Sequence, residues 1–418
     1  MKSLSTFVTV LLLAACSFAQ APMPDDGAGT RPGSFSARSL GLGHTFLTNQ
    51  LGNAALMGNP ATMAFQTDKW LVGFNADVSR IKETRSYPFY DAFDGVLGYN
   101  NYALNDHVYS KLDGGASYRV KQNELESFVI SLGSYSAYQF DYTYHEEVRN
   151  RFTSGGVQDL VLGKNVLEVT GDLRAFTLGA AAKQGKMAMG FSLSLLTGDW
   201  GYDNGVFYAN PDSLDQSQHV DYSLDGMPVD VNFGGTYDIN ERVRVGARAL
   251  FPTGKLKYEV RNNITIGDST TSTTADGRVT YPAHIAAGVQ YRPQNEYRPQ
   301  VYFESELHTF SQVDDGLNDV LEFRAGAEQQ IVPGTPARFG IVYATSPSDK
   351  DRATTLFTAG IGFTLRRMHA DFGLEFGEMN YAADDLFPQS LYGETDREDR
   401  DRVETAVFRG MMSLTWEL

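Results

Sequence analysis

Seven histidines are scattered through the 418 residues, and none has the spacing of a catalytic or metal-binding helix. His145-Glu146-Glu147 sets one imidazole beside two carboxylates, but a zinc helix needs a second histidine four residues on, where Arg149 stands. No Gly-x-Ser-x-Gly elbow, phosphate-cradling loop or cysteine pair occurs. The sequence therefore predicts no enzyme, no catalytic residue, no cofactor and no metal site. What chemistry it offers lies in charges set among apolar residues: Asp230, Arg244, Arg248, Glu304, Glu306, His308, Glu322, Arg324, Glu328, Asp371, Glu375 and Arg409. Charge turned away from solvent must be paired or wetted to be tolerated. Arg244, Arg248, Glu304, Glu306, His308, Glu322 and Arg324 are accordingly expected to form a polar network, with His308 beside Glu304 and Glu306 as its pH-sensitive spot. A gate disturbed by substrate is the functional version of the same network. The run Glu394–Arg402 reads as a self-paired solvated loop, with a metal or lipopolysaccharide contact as the alternative.

Net charge is −16, from 51 acidic and 35 basic side chains with no basic patch, which excludes a nucleic-acid partner. Glycine (41), tyrosine (22) and phenylalanine (26) are abundant, as suits curved strands better than helices. Residues 1–19 read as a cleaved export signal: Lys2, an apolar core from Phe7 to Ala15, and Ser17-Phe18-Ala19 before Gln20. That core is too short to span a membrane as a helix. The single cysteine, Cys16, either leaves with the signal or, in Leu13-Ala14-Ala15-Cys16, is a lipidation site. Residues 20–35 read as a flexible leader.

The elements that must position the charges are strands. Trp70, Val72, Phe74, Ala76 and Val78 alternate with Gly73, Asn75, Asp77 and Ser79. Met187–Leu195, Val229–Ile239, Phe357–Leu365 and Phe372–Glu378 repeat this two-residue period, which a helix would scatter around its circumference. Strands are expected near 68–80, 110–121, 127–144, 171–183, 186–197, 227–239, 242–260, 278–292, 299–311, 319–331, 336–345, 353–366, 369–380 and 403–418. The gaps alternate long and short. Residues 81–109, 145–170, 198–226, 261–277 and 381–402 read as long polar loops, with 312–318 and 346–352 as shorter members of that class. Lys121–Glu126, Lys183–Lys186, Asn240–Glu241, Arg292–Arg298, Val332–Thr335 and Arg367–His369 read as tight turns. Such alternation is the signature of an outer-membrane barrel with short periplasmic turns. The expected fold is all-β: a transmembrane antiparallel β-barrel of about 14 strands over 68–418. The last strand ends amphipathically, with Phe408, Met412, Leu414, Trp416 and Leu418 on one face, and resembles the terminal signal read by barrel-assembly machinery.

Residues 36–67 are of another kind. Leu40-Gly41-Leu42-Gly43 is followed, after a spacer, by Asn59-Pro60-Ala61 and then Phe65. This stretch resembles the N-terminal hatch of the FadL family of long-chain fatty-acid transporters and aromatic-hydrocarbon channels. The Asp-Asp that precedes the motif in that family is absent, and Asn49-Gln50 stand near its place. The resemblance implies a hatch or plug inside the lumen of a fourteen-stranded barrel, with Gly41, Gly43, Asn59, Pro60 and Ala61 as hatch or gate residues. The residues themselves give a physical account. Pro60 holds Asn59 out of the helical region, Asn59 can bond to local backbone, and the glycines permit close approach to a wall.

Two functions follow. One is an outer-membrane channel for passive uptake of small hydrophobic molecules, fatty acids or aromatic hydrocarbons, gated by the hatch. Tyr87-Pro88-Phe89-Tyr90 with Phe93 would then offer an outer docking surface or an interfacial girdle. The other is a scaffold barrel of a type IX-like secretion system that binds cargo protein through its outer loops. Expected partners are membrane lipid and lipopolysaccharide, barrel-assembly machinery, and either a hydrophobic small molecule or secretion-system proteins.

Overall fold

The computed structural model describes residues 29–120, 125–149, 160–295, 297, 299–350, 352–393 and 396–418. The signal-like residues 1–19 with Cys16, most of the leader, and Glu394 and Thr395 of the charged run lie outside the described residues, as do 121–124 of the expected turn Lys121–Glu126. Among the described residues no helix is long and apolar enough to cross a membrane.

Fourteen antiparallel strands form one closed sheet. They are β1 (Trp70–Tyr90), β2 (Val96–Val120), β3 (Ser127–Gln139, resuming as Tyr142–Arg149), β4 (Val161–Gln184), β5 (Met187–Tyr208), β6 (Gln216–Leu224 and Val229–Asp238) and β7 (Val243–Thr253 and Leu256–Ile266). The second half of the wall is β8 (Ser269–Val279 and His284–Tyr291), β9 (Gln300–His308), β10 (Val320–Val332), β11 (Thr335–Thr345), β12 (Ala353–Leu365), β13 (Met368–Ala383) and β14 (Asp401–Glu417). Each interrupted strand counts once, because both of its pieces pair with the same neighbour, as the two parts of β3 do with β4. Pairing of β1 with β14, from Leu71–Glu417 to Ser86–Arg402, closes the barrel and leaves no long edge in the belt.

Alternation sets the two faces. Trp70, Phe74 and Val78 of β1, Met187, Met189, Phe191, Leu193 and Leu195 of β5 and Phe357 of β12 point outward and are exposed, as lipid-facing residues must be. Above this belt the outward positions turn polar: Arg80 pairs with Asp106, and Arg402 pairs with Glu404 at 2.6 Å.

One expectation needs correction. Most of the residues read as long loops (81–109, 145–170, 198–226, 261–277) are strand, and the barrel stands well above its belt. β1 runs to Tyr90, and its turn into β2 is only residues 91–95. Outside lipid both faces of a strand can be polar, so the two-residue contrast fades while the hydrogen-bond ladder continues. One seam is weak: β2 and β3 pair only from Val120–Phe128 to Gly114–Ser134. Beyond that, side chains bridge it. Asp113 accepts from the Ser136 amide at 2.8 Å, and Lys111 pairs with Asp141 at 2.8 Å.

Candidate functional site

Residues 29–66 lie within the barrel. The segment begins with Thr30 paired to Gln139 of β3. Ser36 then caps the short helix α1 (Ala37–Gly41) by accepting from the Ser39 amide, and two 3-10 turns follow at Gly52–Leu56 and Pro60–Phe65. A chain this short inside a barrel cannot satisfy its own backbone, so wall side chains do so. Ser413 accepts from the Ala37 amide at 2.8 Å, and Thr358 from Gly43 at 2.9 Å. Glu304 accepts from the amides of Phe46 and Leu47 at 3.0 and 2.8 Å. Asn232 and Ser192 donate to the carbonyl of Leu56 at 3.2 and 2.7 Å.

The wall makes room by omission. A Cβ on Gly190, Gly234, Gly246, Gly326, Gly340 or Gly373 would meet the segment's backbone or Asn59 at 2.6 Å or less. From the other side, a Cβ on Gly41 would sit 2.9 Å from the Gly360 Cα, and one on Gly43 2.5 Å from the Ala325 carbonyl. Gly43 also has φ +63°, a conformation glycine adopts without strain. Asn59 is wholly buried: its oxygen accepts from Ala61 at 3.1 Å, and its amide donates to the carbonyls of Leu47 at 2.7 Å and Gly235 at 3.2 Å. Pro60 opens the second 3-10 turn, where a missing N–H costs nothing.

Five of the seven network residues touch one another. Glu306 is held by Arg324 at 2.6 Å and Arg248 at 3.2 Å. Arg324 also reaches Glu322 at 2.7 Å, and His308 lies 3.3 Å from Glu322. Both arginines stand over the Phe46 ring, at 4.8 and 5.1 Å. Two residues lie apart. Arg244 pairs with Asp238 at 2.6 Å and covers Phe65 at 3.9 Å, and Glu304 binds the segment's amides. His308 therefore neighbours Glu322 and His284 (rings 4.5 Å apart), while Glu304, expected beside it, is spent on the segment's amides. The remaining charges form separate pairs: Asp230 with Arg31 at 3.7 Å, Glu328 and Asp371 with Arg338, Glu375 with His44, and Arg409 with Asp77 at 2.6 Å. Arg338 and His284 escaped the sequence reading although their strands did not; the inward series Arg338, Gly340, Val342 carries the signal.

Above the segment the inner wall changes character. Trp200 of β5 stacks between Phe140 of β3 (4.9 Å, 10°) and Tyr222 of β6 (5.2 Å, 2°), with Tyr258 of β7 edge-on at 5.5 Å. Tyr138 stacks on Tyr281 at 4.1 Å. The sequence reading missed the centre of this column because it placed 198–226, with Trp200 and Tyr222, in a loop. At the top, residues 384–393 and 396–400 dip into the mouth. Phe387 is buried along Tyr144, and Arg397, bonded to Asp385 and Asp401, covers Tyr87 and Tyr102. That part of the charged run is paired, as expected, but buried rather than solvated. Outward neighbours at this height (Lys82, His145, Glu147) are polar, so these groups lie beyond the belt. Burial raises Glu146 to about 7 and Asp401 to about 6, with Asp385 adding to both. At the short-turn end a cavity of about 760 Å³ separates segment and wall, with Met63, Phe65 and Ile331 facing Arg38 and Glu328.

No family model and no curated protein matches the sequence. Solved structures do. The Pseudomonas putida toluene transporter TodX aligns over 92% of this chain and 99% of its own, with TM-score 0.62 and 16% identity. The Ralstonia pickettii toluene transporter TbuX covers 92% and 98% (TM-score 0.59, 16% identity). A Pseudomonas aeruginosa FadL homologue covers 93% and 100% (TM-score 0.62, 13% identity). The chain has the FadL-type fold.

Proposed function

We propose that this barrel is an outer-membrane channel for passive uptake of small hydrophobic molecules, fatty acids or aromatic hydrocarbons, with residues 36–67 as its hatch. The observation behind this reading is the stacked aromatic column around Trp200, set directly above a segment held in place by hydrogen bonds. Aromatic faces bind apolar molecules without directional bonds, so a solute can exchange one ring for the next. The similar solved structures, toluene transporters among them, support the same class. Gly41, Gly43, Asn59, Pro60 and Ala61 would set the hatch in its seat, and release of Asn59 from the Gly234–Gly235 notch would open the way to the short-turn, periplasmic end. The unpaired stretch between β2 and β3 offers a sideways exit into the membrane. The test is uptake of labelled toluene and of labelled oleate by cells with and without the gene. Faster uptake of either supports the channel. Equal rates for both, with a protein partner co-purifying stoichiometrically, would instead favour the secretion scaffold.

A further inference from the structure

Three observations meet where the N-terminal segment faces β8 and β9. His284 and His308 are cross-strand partners, and Glu306 lies two residues from His308 on the same inward face. One ligand atom from each of the three falls within 4.8 Å of the others. Second, the Nε2 atoms of both imidazoles are buried without a hydrogen-bond partner among the described residues; that of His308 has Glu322 at 3.3 Å but out of alignment. Orphaned buried nitrogens are costly unless something absent from the protein chain satisfies them. Third, a cavity of about 50 Å³ lies between these side chains and residues Arg31–Phe35. That is room for an ion with a bound water, since a water takes up about 30 Å³.

We infer that His284, Glu306 and His308 form a binding site for one divalent transition-metal ion of the zinc or copper type, lodged between the barrel wall and residues 31–35. Two imidazoles and a carboxylate with an open position suit borderline ions, which prefer nitrogen and accept one oxygen. Glu306 keeps Arg324 on Oε2 and offers Oε1, which holds only the longer bond from Arg248 (3.2 Å) and a 3.5 Å approach from His284 Nδ1. Glu322, beside His308, supplies the outer-shell carboxylate that steadies a ligating imidazole. The two guanidinium groups oppose added positive charge, so the site is micromolar and exchangeable. Sequence spacing hid it because its ligands come from two strands 24 positions apart and not from one helix.

The test uses the full chain in detergent, stripped with chelator and titrated with zinc chloride, alongside His284→Gln/His308→Gln. At equilibrium with micromolar free zinc the wild type is expected to hold about one zinc per chain, and the double variant to bind at least about ten-fold more weakly. Zinc held equally by both, or by neither, overturns the site. Should the double variant not fold, copper(II) spin resonance of the wild type decides alone. Splitting from a pair of imidazole nitrogens supports the site, and its absence refutes it. Transport plays no part in either readout.

Discussion

The inner wall has two regions built on opposite principles. Around β7–β10 it is charged, and its charges are committed: Glu304 holds two amides of the N-terminal segment, while Arg248 and Arg324 brace Glu306 and cover Phe46. Around the outer parts of β3–β7 it is aromatic, and its contacts are ring faces around Trp200. A directional bond in a dry site has one good geometry and leaves a large penalty when broken. A ring face accepts many positions at similar energy. The charged region fixes a conformation, and the aromatic region offers the surface along which the proposed apolar solute would move.

That contrast can be broken most directly at Glu304. Glu304→Ala leaves the Phe46 and Leu47 amides unpaired, at about 1–3 kcal/mol each. The segment should loosen enough to speed maleimide labelling of a Ser39→Cys reporter, with Cys16 replaced by Ser, by more than about ten-fold. If labelling is unchanged, the charged wall is not what seats the segment. Asn59→Ala removes one acceptor and two donated bonds and should cost about 1–3 kcal/mol in the same assay. Gly43→Ala forces a side chain to φ +63° and into the Ala325 carbonyl, with a loss of roughly 1–3 kcal/mol. Trp200→Ala sharpens the comparison from the other side. Its effect on reporter labelling should stay within about 0.5 kcal/mol, as for an independent site, while uptake of a labelled aromatic hydrocarbon changes several-fold. A Trp200 variant that frees the segment would join the two regions into one.

The smallest effect is a pH dependence at the mouth. Glu146 titrates near 7 when folded and near its ordinary value of 4.5 when its surroundings unfold. An acid with a raised value binds protons more tightly in the folded state, so it costs stability as pH rises from about 4.5 through 7 and not below. Protection of the loop 384–400 against protease should therefore improve slightly from pH 8 to pH 5, and Glu146→Gln should remove most of that change. Asp401, raised to about 6, acts in the same sense and accounts for the remainder.

The sequence by itself determined the strands of the belt and their number, because a wall with lipid on one side imposes a two-residue contrast that can be counted. It also set Gly41, Gly43 and Asn59-Pro60-Ala61 apart from the strands, in a glycine-punctuated stretch without their two-residue period. It gave the facing of Arg248, Glu306 and Arg324 but not their partners, since alternation states which side a residue faces and nothing about its neighbour two strands away. Only the tertiary structure decided that Glu304 serves backbone amides, that His308 meets His284, and that the apparent loops rise as strands lined with stacked rings. Above the belt water reaches the outer face, the contrast between faces disappears, and hydrogen bonding between distant segments alone defines the wall.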